Sequence, residues 1–399
     1  MLPPVTRKLP LLLGFIIAVG PLSTDMYLPA FPVIATSFHD HAAPQYSLGA
    51  YFVGLAIGQM TQGALSDRLG RRAPLLAGLI IYTIASIGCA LCWNVESLVI
   101  FRFLTALGCS AGVVIPRAMV RDLADGPAAA KLFSQLMLVM GVAPIVAPML
   151  GAVFVMVANW RMIFVFAAAY GLIAIAAIWF LLPDTLPQER RSRIGIIPVI
   201  VRYYEIFGER AFLTHALAAA FTSACLFAYL AATPQIFIGL YGWSTTGYAL
   251  LFGINSIAYI GYNQLNPVLV SRFGIAPILA MAGLLQLIAC LGLAVLAFHP
   301  HGPYAIVGFL LVAEGGFGLL LPCAMVGALS RHQAHAGSAS ALLGTMQYSG
   351  GAIAGLAMGI LADGTARPMG VAMLLCALAA MLAASLAPRL KFSAAEKLS

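Results

Sequence analysis

The sequence predicts an all-α integral membrane protein: twelve transmembrane helices folded as two pseudo-symmetric six-helix bundles. Three observations carry that expectation. Hydrophobic residues make up 62% of the 399 and charged residues only 9%, about a third of the ~25% charged content usual in a soluble domain. The chain divides into twelve apolar runs, most long enough to cross a bilayer as a helix. Lysine and arginine gather in alternate links between those runs, the asymmetry that orients a membrane protein with its basic loops in the cytoplasm.

In chain order the runs cover residues 9–31, 46–66, 74–93, 98–119, 132–157, 161–182, 211–233, 247–270, 275–298, 303–328, 338–362 and 369–388. Glycine and proline within them are compatible with helices, because membrane helices tolerate both better than soluble ones do. The first run is too long for a cleaved signal peptide, and no small-residue cleavage site follows it. With the N-terminus in the cytoplasm, 18 of the 21 lysines and arginines fall on the inner side, two (Arg161 and Arg367) outside, and one (Arg102) inside a span. Both termini are therefore expected in the cytoplasm.

The longest link, about 183–210, is basic and falls at the midpoint. It divides the chain into an N-terminal bundle of residues 1–182, a basic cytoplasmic linker of 183–210 and a C-terminal bundle of 211–399. The halves read as repeats. GALSDRLGRRAP (63–74) follows the second span and PVLVSRFGIAP (267–277) the eighth, so that Arg68 and Gly70 align with Arg272 and Gly274. Parallel six-helix halves with a site at their interface form a transporter plan.

Composition also excludes function classes. The net charge of +8 is explained by orienting loops rather than nucleic acid. The seven cysteines show no metal-ligand spacing and read as small hydrophobes. There is no phosphate-binding G-x-x-x-x-G-K-[ST] loop, no H-E-x-x-H metal pair and no G-x-S-x-G elbow, and His332 and His335 lack a third ligand in sequence. The expectation is a transporter, not an enzyme, with no cofactor and no metal.

Charges inside the spans carry the functional reading. Asp25 lies in the first run at LSTDMYLPAF, Arg102 in the fourth and Glu314 near the middle of the tenth. A charge within a membrane helix costs about 2.5–3.5 kcal/mol even on the lenient insertion scale. Counted along the helices, Asp25 and Arg102 sit at similar heights, roughly 7–9 Å below the outer surface. A pair between them is geometrically allowed, either as a static lock between two helices or as a proton-coupling device in which Arg102 modulates the Asp25 carboxyl. Glu314 reads as a second proton site, a contact for a cationic substrate or a carboxyl buried in neutral form. Candidate liners of a cavity between the halves are Met26, Tyr27, Tyr51, Gln59, Tyr229, Gln235, Asn255 and Gln347. Apolar walls with a few polar groups suit amphipathic ligands. By composition alone, the loop with Gly63, Asp67, Arg68, Gly70 and Arg71 is a solvated basic turn. MGVAPIVAPMLGA (140–152), with Pro144, Pro148 and Gly151, is either an ordinary proline-kinked packing helix or a hinge and seal between halves.

Three stretches add a resemblance. GALSDRLGRR matches the loop signature G-x-L-x-D-R-x-G-R-R/K of the major facilitator superfamily at every fixed position. It implies the fold of that family and an inner gate in which Asp67 and Arg71 engage Asp122 at the end of the fourth span. FRFLTALGCSAG resembles the family's fourth-span motif, which carries over Arg102, and helix five resembles the antiporter motif G-P-x-x-G-G, with Ala147 and Ala152 in place of two glycines. STDMYLPAFP and FAYLAATPQIF resemble the Bcr/CflA branch of drug:proton antiporters. The resemblance implies proton-coupled efflux of small amphipathic drugs or metabolites across the inner membrane by alternating access. Protons would be the coupling ion and the lipid bilayer the surroundings, with no nucleic-acid partner and the chain acting as a monomer. A proton-linked carrier of one nucleoside, sugar or amino acid is the alternative.

Overall fold

The computed structural model describes residues 8–123, 126–191, 196–299, 302–332 and 335–387. The first crossing is broken into α1 (Lys8–Ile17), α2 (Val19–Asp25), a 3-10 turn (Leu28–Ala30) and α3 (Phe31–Phe38). Five long helices complete the first half: α4 (Ala43–Leu69), α5 (Arg72–Leu91), α6 (Val95–Leu123), α7 (Gly126–Val157) and α8 (Arg161–Leu181). The linker contains a short helix, α9 (Ile196–Gly208), which the sequence reading left as a polar connection. The second half has α10 (Arg210–Pro234), continued by a π-helical turn (Gln235–Leu240), then α11 (Thr245–Phe273), α12 (Ile275–Phe298), α13 (Pro303–Leu329), α14 (Ala336–Ile360) and α15 (Arg367–Ser385). Leaving α9 aside, these elements make the twelve crossings of the expected fold.

Prolines set the breaks. A proline ring clashes with the carbonyl four residues earlier and supplies no N–H to it. Pro21 thereby ends α1 at Ile17, and Pro29 ends α2 at Asp25. The carboxylate picked out by sequence is thus the last α-helical residue before the irregular turn.

Among the described residues, nine helices are apolar enough to cross a membrane by length and composition alone. The other long ones, α4, α11 and α14, have 27, 29 and 25 residues, and they carry polar side chains where the halves meet. Packing within the halves joins α4 and α5 to α6, α5 to α8, α10 to α13 and α15, and α12 to α13 and α15. Two seams join the halves, α4 against α14 and α7 against α11. The sequence repeat has a structural counterpart: Gly70 and Gly274 end α4 and α11 with nearly the same backbone angles, φ 91°, ψ 170° and φ 86°, ψ 165°.

Candidate functional site

The site grows from the break at Asp25. Asp25 is 7% exposed, and no hydrogen bond or ion pair engages its carboxyl among the described residues. It lies within electrostatic reach of Tyr229, Tyr248 and Tyr348, all from the second half. Asp25 therefore faces the seam between the bundles. Gly151 of α7 packs on the backbone of the same break, where any side chain at position 151 would collide with the Met26 carbonyl oxygen. The helix-five motif is thus pressed against the turn that carries the carboxyl, with Pro144 and Pro148 in the same helix.

Arg102 has different company. Its guanidinium lies 4.5 Å from the Tyr27 ring centre, 4.2 Å from that of Tyr51 and 5.7 Å from that of Phe164. Nη1 donates to the Ser23 carbonyl at 3.1 Å, while Nε and Nη2 are buried without a partner. The Asp25–Arg102 pair expected from sequence is therefore not formed. The reason is helical phase: Ser23 and Asp25 are two residues apart, about 200° around the axis, so a helix that turns Ser23 toward Arg102 turns Asp25 away. Aromatic faces take the place of a carboxylate. Tyr27 and Tyr51 are fully buried in this cage, with Tyr27 Oη 2.7 Å from Ser47 Oγ and Tyr51 donating to Cys109 Sγ at 3.3 Å. Met26 is fully buried as well, so these three expected cavity liners serve here as packing around the break.

Across the seam, Asn255 Nδ2 donates to Tyr229 Oη at 2.9 Å, and Asn255 Oδ1 is buried without a partner. Glu314 on α13 is 3% exposed, with no hydrogen bond among the described residues, and lies within electrostatic reach of Tyr229 and Tyr259. Tyr229 therefore stands in reach of both buried carboxyls. Gln347 Nε2 is buried and unpartnered on α14, and Gln59 of α4 lies against Gly344 of the same helix. Gln235 ties the halves at the end away from the basic loops, donating to the His41 carbonyl at 2.6 Å and to Gln45 Oε1 at 3.4 Å.

At the basic end, Arg71 is 6% exposed. Nε and Nη2 grip the Asp122 carboxylate at 2.6 and 3.2 Å, and Nη1 donates to Ser66 Oγ at 2.9 Å and to Asp67. Burial works against the Arg71 charge, but Asp122 and Asp67 outweigh it and move its pKa above the ordinary arginine value. Asp184 of the linker accepts from the Arg71 backbone N–H at 2.9 Å and pairs with Arg191 at 2.9 Å, while Thr185 donates to Asp122 at 3.4 Å. Gly70 is required twice over, by its positive φ and because a side chain there would strike Asp184 and Arg191. Arg68 stays exposed, and Gly63 has open space around its Cβ position.

The model of the major facilitator superfamily matches residues 13–355. The chain belongs to that superfamily. An uncharacterised transporter of the superfamily from Bacillus subtilis strain 168, YdgK, is 37% identical over 93% of both chains. A bicyclomycin resistance protein homolog from Haemophilus influenzae is 29% identical over 94% of both. With such relatives, the chain falls in the drug-resistance branch of the superfamily and is a transporter, not an enzyme. A bacterial homolog of the human lysosomal transporter Spinster shares the fold, with a TM-score of 0.74 over 95% of this chain and 97% of that one at 16% identity.

Sequence reasoning missed two members of this superfamily transporter's loop network, Asp184 and Arg191. The only signal was an aspartate just beyond the sixth span, between Pro183 and Pro187. Two substitutions test the packing. Gly70→Ala is expected to lower stability by about 1–3 kcal/mol through backbone strain, read as a drop in melting temperature in detergent. Gly151→Val is expected to destabilise by a similar ~1–3 kcal/mol through overpacking. An unchanged melting temperature would show that α7 does not rest on the Asp25 turn.

Proposed function

We propose that this transporter is a proton-coupled antiporter of the Bcr/CflA kind, exporting small amphipathic compounds across the inner membrane by rocking of its two halves. The basic side is the cytoplasmic one, with both termini on it, and a single chain is the working unit. One observation carries the reading: Asp25 sits at a proline-made break, facing the seam, with no cation beside it. Irregular backbone at membrane depth is tolerated where it lines a cavity or is buried in protein, and discontinuous helices form the binding sites of many transporters. Burying a carboxylate without a partner costs so much that the group carries a proton. When the halves part and water reaches the seam, that cost falls and the proton leaves. Glu314, in reach of the same Tyr229, is the second acid of this pathway.

In this mechanism Arg102 is a positioning residue. It holds the Ser23 carbonyl and the Tyr27 and Tyr51 rings, and so fixes the turn in which Asp25 stands. The Arg71 network closes the cytoplasmic side of the cycle and Gln235 the opposite side. The names of the relatives support export as the direction.

The driving force is adequate. One proton entering down about 100 mV releases roughly 2.3 kcal/mol, and one pH unit adds about 1.4 kcal/mol. Together, about 3.7 kcal/mol sustains a gradient near 500-fold for a neutral compound.

Proteoliposomes with an internal pH dye test the proposal. Addition of a transported compound is expected to move protons with the wild type and not with Asp25→Asn, and equal flux in both would remove Asp25 from the coupling. Arg102→Lys keeps the charge but loses the planar guanidinium. It is expected to lower the melting temperature and leave the number of protons moved per substrate unchanged, whereas a changed ratio would give Arg102 a part in proton transfer.

A further inference from the structure

Arg117 is one of the 18 basic residues assigned to the inner side, although it falls within the fourth apolar run, 98–119. The structure places it inside α6, which continues to Leu123. Its level follows from its neighbours. Gly58 of α4 packs on Ser110, and Gly20 of α2 lies against Val113. Arg117 is two turns beyond Ser110 and one turn beyond Val113, so it points into the same groove between α4 and the broken first crossing. Pro116, just before it, also lies inside the helix.

An arginine this close to the membrane surface ordinarily bends its head toward water. This one does not. Side chains in a helix slant toward its N-terminus, which in α6 lies away from the basic face. Arg117 Nε is buried without a hydrogen bond, and the guanidinium is within electrostatic reach of Tyr348 on α14 of the opposite half. Tyr348 is held by stacking on Phe52 (ring centres 6.3 Å apart) and Phe227 (6.0 Å). No hydrogen bond or ion pair engages Arg117 among the described residues, although the next arginine on the basic side, Arg71, holds Asp122 with two nitrogens.

Other polar atoms along the seam wait in the same way. Gln62 Oε1 on α4 and Gln347 Nε2 on α14 are buried without partners. A guanidinium cannot shed its proton in a protein, so Arg117 is a permanent cation with no counter-charge among the described residues. Neither seam acid, Asp25 or Glu314, is within electrostatic reach of Arg117 among the described residues. Leaving the buried Nε donor unpaired is costly, and a ligand can remove that cost.

We propose that Arg117 is the anion-recognising residue of the transport cavity, so that the preferred substrates are amphipathic compounds bearing a carboxylate or similar anionic group rather than lipophilic cations. An anionic group would meet the Arg117 fork, which presents paired N–H donors to a carboxylate. The apolar body would lie along Tyr348, Phe52 and Phe227. This substrate class rests on the export reading but is tested separately from proton coupling.

The test is equilibrium binding to the full-length protein in lipid nanodiscs, followed by fluorescence polarisation with two xanthene dyes of similar size. The dyes are anionic fluorescein and cationic rhodamine 123, with empty discs as background. The wild type is expected to bind fluorescein about tenfold tighter than rhodamine 123, as one charge-assisted hydrogen-bond pair provides. Arg117→Gln is expected to lose that preference, and Arg117→Lys to keep most of it, with melting temperatures confirming that each variant is folded. A wild type that binds both dyes equally, prefers the cation or binds neither overturns the assignment, as does undiminished fluorescein affinity in Arg117→Gln. None of those results touches proton-driven export, which stands or falls on the Asp25→Asn flux.

Discussion

The cost of a buried charge governs this molecule. Proline at position 29 forces the first crossing to stop being a helix at Asp25, and an unravelled turn in a bilayer survives only when protein or a cavity covers it. α7 supplies the cover, and Gly151 allows its backbone to approach the Met26 carbonyl. The result is a carboxyl held at the seam of two bundles with no cation beside it.

The other buried charges divide by what surrounds them. Arg102 is held by aromatic faces and a backbone carbonyl, so its charge is accommodated without a carboxylate and remains constant. Arg71 is held by two carboxylates and locks the basic end. Among the described residues Arg117 is held by neither, and its Nε is buried without a partner. One side-chain type thus does three jobs, separated only by its neighbours.

Much of the architecture is legible in the residues. Twelve runs, basic links on one side and the Gly70/Gly274 correspondence follow from hydropathy and spacing, and both glycines do adopt the same positive-φ backbone at equivalent helix ends. The single acids in the first and tenth runs also stand out by counting. What counting cannot supply is phase across a break. Asp25 and Arg102 match in depth, yet their directions differ because the helix turns Ser23, not Asp25, toward the arginine. Counting by side also misplaces Arg117, which falls within the fourth apolar run yet groups with the inner basic residues, and which the structure sets inside α6.

The linker shows the same limit. Asp184 and Arg191 look like ordinary polar residues after a span, and only the folded chain brings them onto Gly70 and Arg71. By itself, the sequence determined the membrane class, the number of crossings, the two-fold repeat and the lone acid in the first run, since these depend on composition and on contacts close along the chain. Tertiary structure alone decided which charges are paired, caged or left open, because that depends on the direction each side chain takes and on groups many residues away.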